Sequence, residues 1–254
     1  LNLNNVIDTS KNVIINLGDL GEFDEHGIFP LSVSSEGEDI FAFTTGWSRR
    51  YSVPIEMSIG LAKFNKKKNI FDKIGKGGPI LTSKLNENCM VGDAHVKKIN
   101  GIWYMWYIFS KGWLLPCKDS KPERHYRISV ATSKDLKNWE RKNKFIIPTS
   151  IENECQAMPT VFFHKRKYHM IFCFRNAFDF RKDKESSYRL GYAYSDDLKK
   201  WERDDNQLNI ERPKNGWDSE MMCYPSTLKL NEKIILFYNG NNFGKNGFGA
   251  YILE

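Results

Sequence analysis

One stretch of this chain is written twice. Residues 125–141 read HYRISVATSKDLKNWER, and residues 187–203 read SYRLGYAYSDDLKKWER. The copies share Tyr126/Tyr188, Arg127/Arg189, Ala131/Ala193, Ser133/Ser195, Asp135/Asp197, Leu136/Leu198, Trp139/Trp201, Glu140/Glu202 and Arg141/Arg203, always 62 residues apart. A repeat of that length is one supersecondary unit copied along the chain. Such units bury their apolar faces by stacking on one another.

The unit extends beyond the two copies. An aromatic strand precedes each, GIWYMWYIF at 101–109 and KYHMIFCFR at 167–175, with similar strands at 39–47 and 233–240. Short runs rich in aromatic and β-branched residues carry the signature of strands. Pro30, Pro159 and Pro225 each open a further apolar run. Pro159 and Pro225 are 66 residues apart, Pro30 and Pro159 are 129 apart, and Ala94 holds the intervening position. Pro fits the first residue of a strand because its missing N–H need not pair there. A third strand follows at 58–64, 128–133, 190–195 and 248–253, and a fourth carries Trp139, Trp201 or, in the first unit, Phe71. Recurring groups of four short strands predict an all-β propeller; solenoid repeats are usually shorter. The expected organisation is a single domain over 1–254, with blades near 21–82, 83–148, 149–212 and 213–254. Residues 1–20 read as the outer end of a preceding blade. The expected ring is therefore five-bladed, its first blade incomplete or supplied from outside, with a closed four-bladed ring as the alternative.

Composition narrows the setting. No apolar run is long enough to span a membrane. The five cysteines are odd in number and form no CxxC pair, which favours buried thiols and a reducing cytoplasm. The net charge of +7 is dispersed rather than gathered on one face, so nucleic acid is not the expected partner. An anionic sugar suits the same charge. Phosphate-binding G-x-x-x-x-G-K-[ST], dinucleotide-binding G-x-G-x-x-G and nucleophile-elbow G-x-S-x-G motifs are all missing.

The segments DEHGIFP, TTGWSRR, SIGLA, ECQAMPT, YRLGYAYSDDLKKW and GWDSEMMCYP resemble five-bladed propeller glycosidases, the arabinanase and xylosidase, invertase and mannoside-phosphorylase groups. They are most similar to glycosidase-like propellers of bacterial polysaccharide-biosynthesis loci. The resemblance covers nearly the whole chain from Asp19. It implies a carbohydrate-active enzyme that cleaves or transfers a glycosyl group, on a surface-polysaccharide precursor or a phosphorylated or nucleotide-linked sugar. Its alternative is a non-catalytic glycan-binding propeller of a biosynthetic assembly. By the resemblance, Asp93 matches the Asp-Pro position that orients the acid or stabilises the transition state, although Ala94 replaces the Pro. Glu154-Cys155 resembles the invertase Glu-Cys acid motif, although Pro159 comes four residues after Cys155.

In a propeller the innermost strands line the axis, so the residues leading into each inner strand are the first candidates. Glu25, Glu154 and Glu220 each lie five positions before their Pro, and Asp93 lies one before Ala94. A ring of carboxylates suits glycoside cleavage, which needs one group to protonate the leaving oxygen and another to attack or to activate water. Crowding raises one of their pKa values toward neutrality. The plainer alternative is that each acid caps a turn or pairs with an Arg. The expected catalytic set is Asp93, Glu154, Glu220 and Glu25, with Glu154 as acid. Asp24, His26, His95, Gln156 and Asp218 flank them as candidate ligand contacts. Trp47, Arg49, Arg50, Arg175 and Asn239 stand at equivalent strand ends, with Tyr188 and Arg189 beside them. Trp106 is a candidate for stacking on a sugar ring, against the plainer reading of blade packing. His26 and His95 are the only candidates for a metal and lack a supporting motif, so neither metal nor cofactor is expected.

Overall fold

A computed structural model describes residues 5–253, the side chains of Pro30 and Leu31 excepted. It contains four antiparallel sheets in chain order. The first is β1 (Gly27–Glu36), β2 (Asp39–Arg49), β3 (Ile55–Asn65) and β4 (Ile70–Lys73). The second is β5 (Cys89–Ile99), β6 (Ile102–Leu114), β7 (Glu123–Ser133) and β8 (Glu140–Arg141). The third is β9 (Glu154–His164), β10 (Lys167–Asn176), β11 (Arg189–Ser195) and β12 (Glu202–Arg203). The fourth has β13 (Cys223–Leu230), β14 (Lys233–Asn239) and β15 (Phe248–Leu253). Each sheet is a meander in sequence order, as expected of a blade.

Local chemistry sets these hairpins. Asn100 and Gly101, both at positive φ, form the two-residue turn that pairs Ile99 with Ile102. The repeated S-x-D-L turn between the third and fourth strands is a hydrogen-bonded cap. Ser133 Oγ accepts from the amides of Asp135 and Leu136, while Asp135 Oδ1 accepts from those of Lys137 and Asn138. The second copy repeats this at Ser195 and Asp197. Leu136 and Leu198 both sit at φ 65° and are buried.

The repeated Trp reaches into the preceding blade. Trp139 meets Phe43 edge-on and Trp201 meets Trp106 edge-on. The core therefore lies between sheets, in one large cluster shared by the second and third blades and smaller ones at the flanking interfaces. Inner strands β1, β5, β9 and β13 follow one another around the axis. Packing of similar extent does not join the fourth blade to the first among the described residues. There Leu228, Leu230, Phe248 and Ile252 are exposed on one side, and Phe29 and Val33 on the other. Four blades are thus present. Residues 5–26 contain no strand, and Ile14 accepts a hydrogen bond from the amide of Phe71 in β4. The part of the expected blade remnant in residues 1–4 lies outside the described residues.

Truncating Trp106, which is fully buried at the junction of two blades, should cost about 3–5 kcal/mol. A denaturant titration of Trp106→Ala against the parent checks this.

Candidate functional site

One residue per blade turns toward the axis, by a shared backbone device. Phe29, Asp93, Met158 and Tyr224 each directly precede the Pro or Ala of their inner strand. Asp93, Met158 and Tyr224 have φ of 54°, 50° and 55°, in the left-handed region. The pairing of every inner strand with its neighbour slips at this point. A bulge with a left-handed residue re-aims a side chain that the regular pleat would hold against a blade face. Gly92, beside Asp93, is required by close approach: a Cβ there would lie 2.6 Å from Met57 Cε.

These four residues line an axial cavity of about 420 Å³, within the range of small-ligand sites. Tyr126 and Tyr188, Arg124, Arg175 and Arg181, and Phe180 and Phe243 complete its chemistry. Asp93 is the one carboxylate lining it among the described residues. Its amide donates to Thr45 Oγ1 at 2.7 Å, and its Oδ2 accepts from the amide of Met158 at 3.4 Å. Burial pushes the Asp93 carboxyl up to about 6, against a smaller opposing pull from the Met158 amide. Arg175 is fully buried. It donates to the Tyr188 hydroxyl at 3.2 Å and the Tyr126 hydroxyl at 3.1 Å, and the two phenols share a 2.9 Å hydrogen bond. Phe243, at φ 60°, stacks on Tyr224 and meets Tyr188 and Phe180 edge-on. An aromatic wall, a protonatable carboxyl group and a basic wall therefore face one space.

The other sequence candidates fall elsewhere. Glu154 is fully buried but turned away from the cavity. Its Oε1 lies 2.7 Å from Arg203 Nη1 and accepts from Gln156 Nε2, while its Oε2 accepts from the amide and hydroxyl of Ser150. Gln156 is spent on this network. Five positions before Pro falls at or just before the start of the inner strand, upstream of the bulge that aims inward. Glu220 is exposed, and only its backbone is held, by Asn241 and Arg212. Glu25 pairs with His26 at 3.1 Å and lines a separate polar cleft of about 620 Å³ with Arg49 and Arg50. Asp24 is buried against Lys73 at 2.6 Å, and Asp218 accepts from the Tyr238 hydroxyl at 2.6 Å. Trp47 stacks between His26 and Phe29 and does not line the cavity. Trp106 packs in the core. His95 contacts the Val161 carbonyl at 3.2 Å, and burial lowers its imidazole to about 3. Arg189 reaches the Glu185 carbonyl, and Asn239 donates to the Phe243 carbonyl. Asp93, Arg175 and Tyr188 are the candidates that the structure brings together. Met158, Tyr224, Arg124, Arg181, Phe180 and Phe243 were not expected. Pro30, Pro159 and Pro225 lie inside β1, β9 and β13 rather than opening them, because each inner strand pairs on both sides of its bulge. The residue before each Pro was a legible signal for Met158 and Tyr224, and the Tyr126/Tyr188 repeat was one for the paired phenols. No cluster of three or more metal-ligating side chains occurs among the described residues.

No protein-family model matches the chain. Two uncharacterised proteins of Mycobacterium tuberculosis, from different strains, are each 26% identical over 250 residues, covering 98% of this chain and 79% of the relative. Among solved structures, a thermostable family-43 glycoside hydrolase superposes with a TM-score of 0.64 at 16% identity, over 89% of this chain and 70% of that one. Sucrose-6-phosphate hydrolase from Lactobacillus gasseri gives 0.63 at 13%, over 92% of this chain and 48% of that one. A structure from the mannoside-phosphorylase family GH130 gives 0.60 at 14%, over 88% of this chain and 65% of that one. The chain therefore has the propeller fold of these glycoside hydrolases. No helix among the described residues is long and apolar enough to cross a membrane.

Replacing Arg203 by Met would leave the Glu154 carboxylate buried without its counter-charge. The expected cost is about 3–5 kcal/mol. Urea unfolding of Arg203→Met beside the parent at pH 7.5 would measure it.

Proposed function

We propose that this protein is a carbohydrate-active enzyme that cleaves or transfers a glycosyl group in the axial cavity, with Asp93 moving the proton. The observation that carries this is the burial of Asp93, which holds its carboxyl group near 6. A group poised there is protonated in a useful fraction of molecules near neutral pH. The protonated carboxyl donates to the glycosidic oxygen as the anomeric C–O bond breaks, a water or acceptor hydroxyl bonds to the anomeric carbon in its place, and the proton that this oxygen loses restores the carboxyl group. Tyr126, Tyr188, Tyr224 and Phe243 offer faces and hydroxyls to a sugar ring. The fold shared with glycoside hydrolases raises the prior for this chemistry by analogy.

Our reading also completes the ring with a fifth blade in the gap between β13 and β1. The exposed Leu228, Phe248 and Ile252 on one flank and Val33 on the other support it, because sheet faces of this kind are normally covered. About a fifth of each mycobacterial relative lies outside the match, comparable to one 62–66-residue unit. The substrate in this reading is a surface-polysaccharide precursor. The five thiols, all unpaired, support a cytoplasmic setting.

A second reading has its own observation. Glycoside hydrolysis ordinarily uses two carboxylates, and the cavity wall built by these four blades holds Asp93 alone. That favours a glycan-binding propeller without turnover.

Turnover of glycans and phosphosugars by the parent and Asp93→Asn separates the two. The enzyme reading expects a loss of about 10²–10⁴-fold in kcat/KM with binding retained. Binding by both proteins with no turnover by either selects the second reading. In the parent, kcat/KM should fall as pH rises through about 6, an inflection that Asp93→Asn lacks. Stability follows the same group. A carboxyl raised by burial favours the fold while protonated, so its contribution is full below its ordinary 3.8 and is lost as pH rises through about 6. Asp93→Asn should therefore melt higher than the parent at pH 7.5.

A further inference from the structure

Arg175 stands out among the buried charges of this chain. Arg141 and Arg203 are nearly as enclosed, and each faces a fully buried glutamate, Glu87 at 2.9 Å and Glu154 at 2.7 Å. Arg175 has no carboxylate at ion-pair distance among the described residues. Its partners are the two phenols and the carbonyls of Asn176 and Ala177. These bonds use four of the five guanidinium N–H groups, leaving one on Nη2. They solvate the charge without cancelling it, and a buried charge without a counter-ion is costly to keep.

Two more arginines share the wall. The guanidinium carbons of Arg175 and Arg181 lie 3.7 and 4.2 Å from the centroid of the same Phe180 ring. Arg124 Nε is buried and has no hydrogen-bond partner. Neither Arg124 nor Arg181 has a carboxylate at ion-pair distance among the described residues. Burial and then repulsion from Arg124 and Arg175 hold the Arg181 guanidinium below its usual range, against a smaller opposing pull from the more distant Glu123. Three like charges from β7, β10 and the loop after β10 therefore converge on one side of the cavity, while Asp93 enters from β5 without pairing to any of them.

We propose that Arg124, Arg175 and Arg181 form a subsite for a phosphoryl group, so that the cavity takes a phosphorylated carbohydrate. This rests on the glycan reading of the same cavity and names its ligand class. A phosphoryl dianion supplies the missing counter-charge and accepts the unused N–H groups in the paired geometry that guanidinium favours. The phenols hold Arg175, and Phe180 packs against Arg175 and Arg181, before the ligand arrives, which lowers the ordering cost of binding.

Calorimetric titration of the full chain tests this. The probes are mannose 6-phosphate, glucose 1-phosphate, inorganic phosphate and the two unphosphorylated hexoses. The proteins are the parent, Arg181→Gln, Arg124→Gln, the double variant and Asp93→Asn. Arg181 is exposed and Arg124 half-buried, and melting temperatures confirm that each variant is folded. At least one phosphosugar should bind the parent about tenfold or more tightly than its hexose, and the double variant should lose that margin. A phosphosugar favoured over inorganic phosphate assigns the group to the substrate. Inorganic phosphate binding as tightly, with the same arginine dependence, assigns the subsite to the free anion. Equal binding of phosphosugars and hexoses by the parent, or an undiminished margin in the double variant, overturns the proposal. Asp93→Asn keeps the two readings apart. Phosphosugar binding by the parent and by Asp93→Asn, with turnover in neither, leaves the subsite standing while the enzyme reading fails.

Discussion

A twisted antiparallel sheet that is apolar on both faces is stable only if another sheet covers each face. Everything else in this molecule follows from that requirement. Each blade presents aromatic and β-branched side chains on both sides, and stacking the blades around an axis buries them. The repeated Trp is the clearest expression of it. Trp139 and Trp201 leave a rigid capped turn and fill the space beside Phe43 and Trp106 of the preceding blade. Stacking by rotation rather than translation brings the inner strands together and creates the cavity. By the same requirement the flank with Leu228, Phe248 and Ile252 open to solvent is the uncovered face among the described blades.

The chemistry of the axis depends on a local departure from sheet geometry. In a regular strand the residue at the position of Asp93 would point across the blade. The bulge and its left-handed φ turn it inward, in the same way that they turn Met158 and Tyr224. Burial then changes its acidity. Desolvation raises the Asp93 carboxyl, while across the same space the arginine wall carries positive charge with no carboxylate at ion-pair distance among the described residues. A small cavity thus holds two separate electrostatic environments, a condition for binding an anion and moving a proton in one place.

The buried acid–arginine pairs belong to a different task. Glu154–Arg203 and Glu87–Arg141 tie the outermost strand of a blade to the segment leading into its innermost strand. Such pairs contribute little net stability but are costly to break. They explain why a conspicuous glutamate need not be a functional one, and why the repeated Trp-Glu-Arg ends with Arg.

The repeat period, the strand positions and the blade order were legible in the sequence because they rest on local patterns: strand alternation, turn residues, and Pro where an N–H is dispensable. Asp93 was also legible, because its Pro-equivalent neighbour marks the bulge. The register of the glutamates misled, since sequence spacing cannot say on which side of a bulge a side chain emerges. Glu154 and Glu220 share a spacing with Glu25, yet the three end in an ion pair, in solvent and in a separate cleft. The arginine wall was legible only in Arg175. Arg124 and Arg181 lie 51 and 6 residues from it in the chain and meet it only when β7, β10 and the following loop converge. The sequence by itself determined that this chain builds stacked four-stranded units, because periodic burial is written residue by residue. Only the tertiary structure decided which charges face the axis, because charge placement depends on contacts between blades that no local pattern encodes.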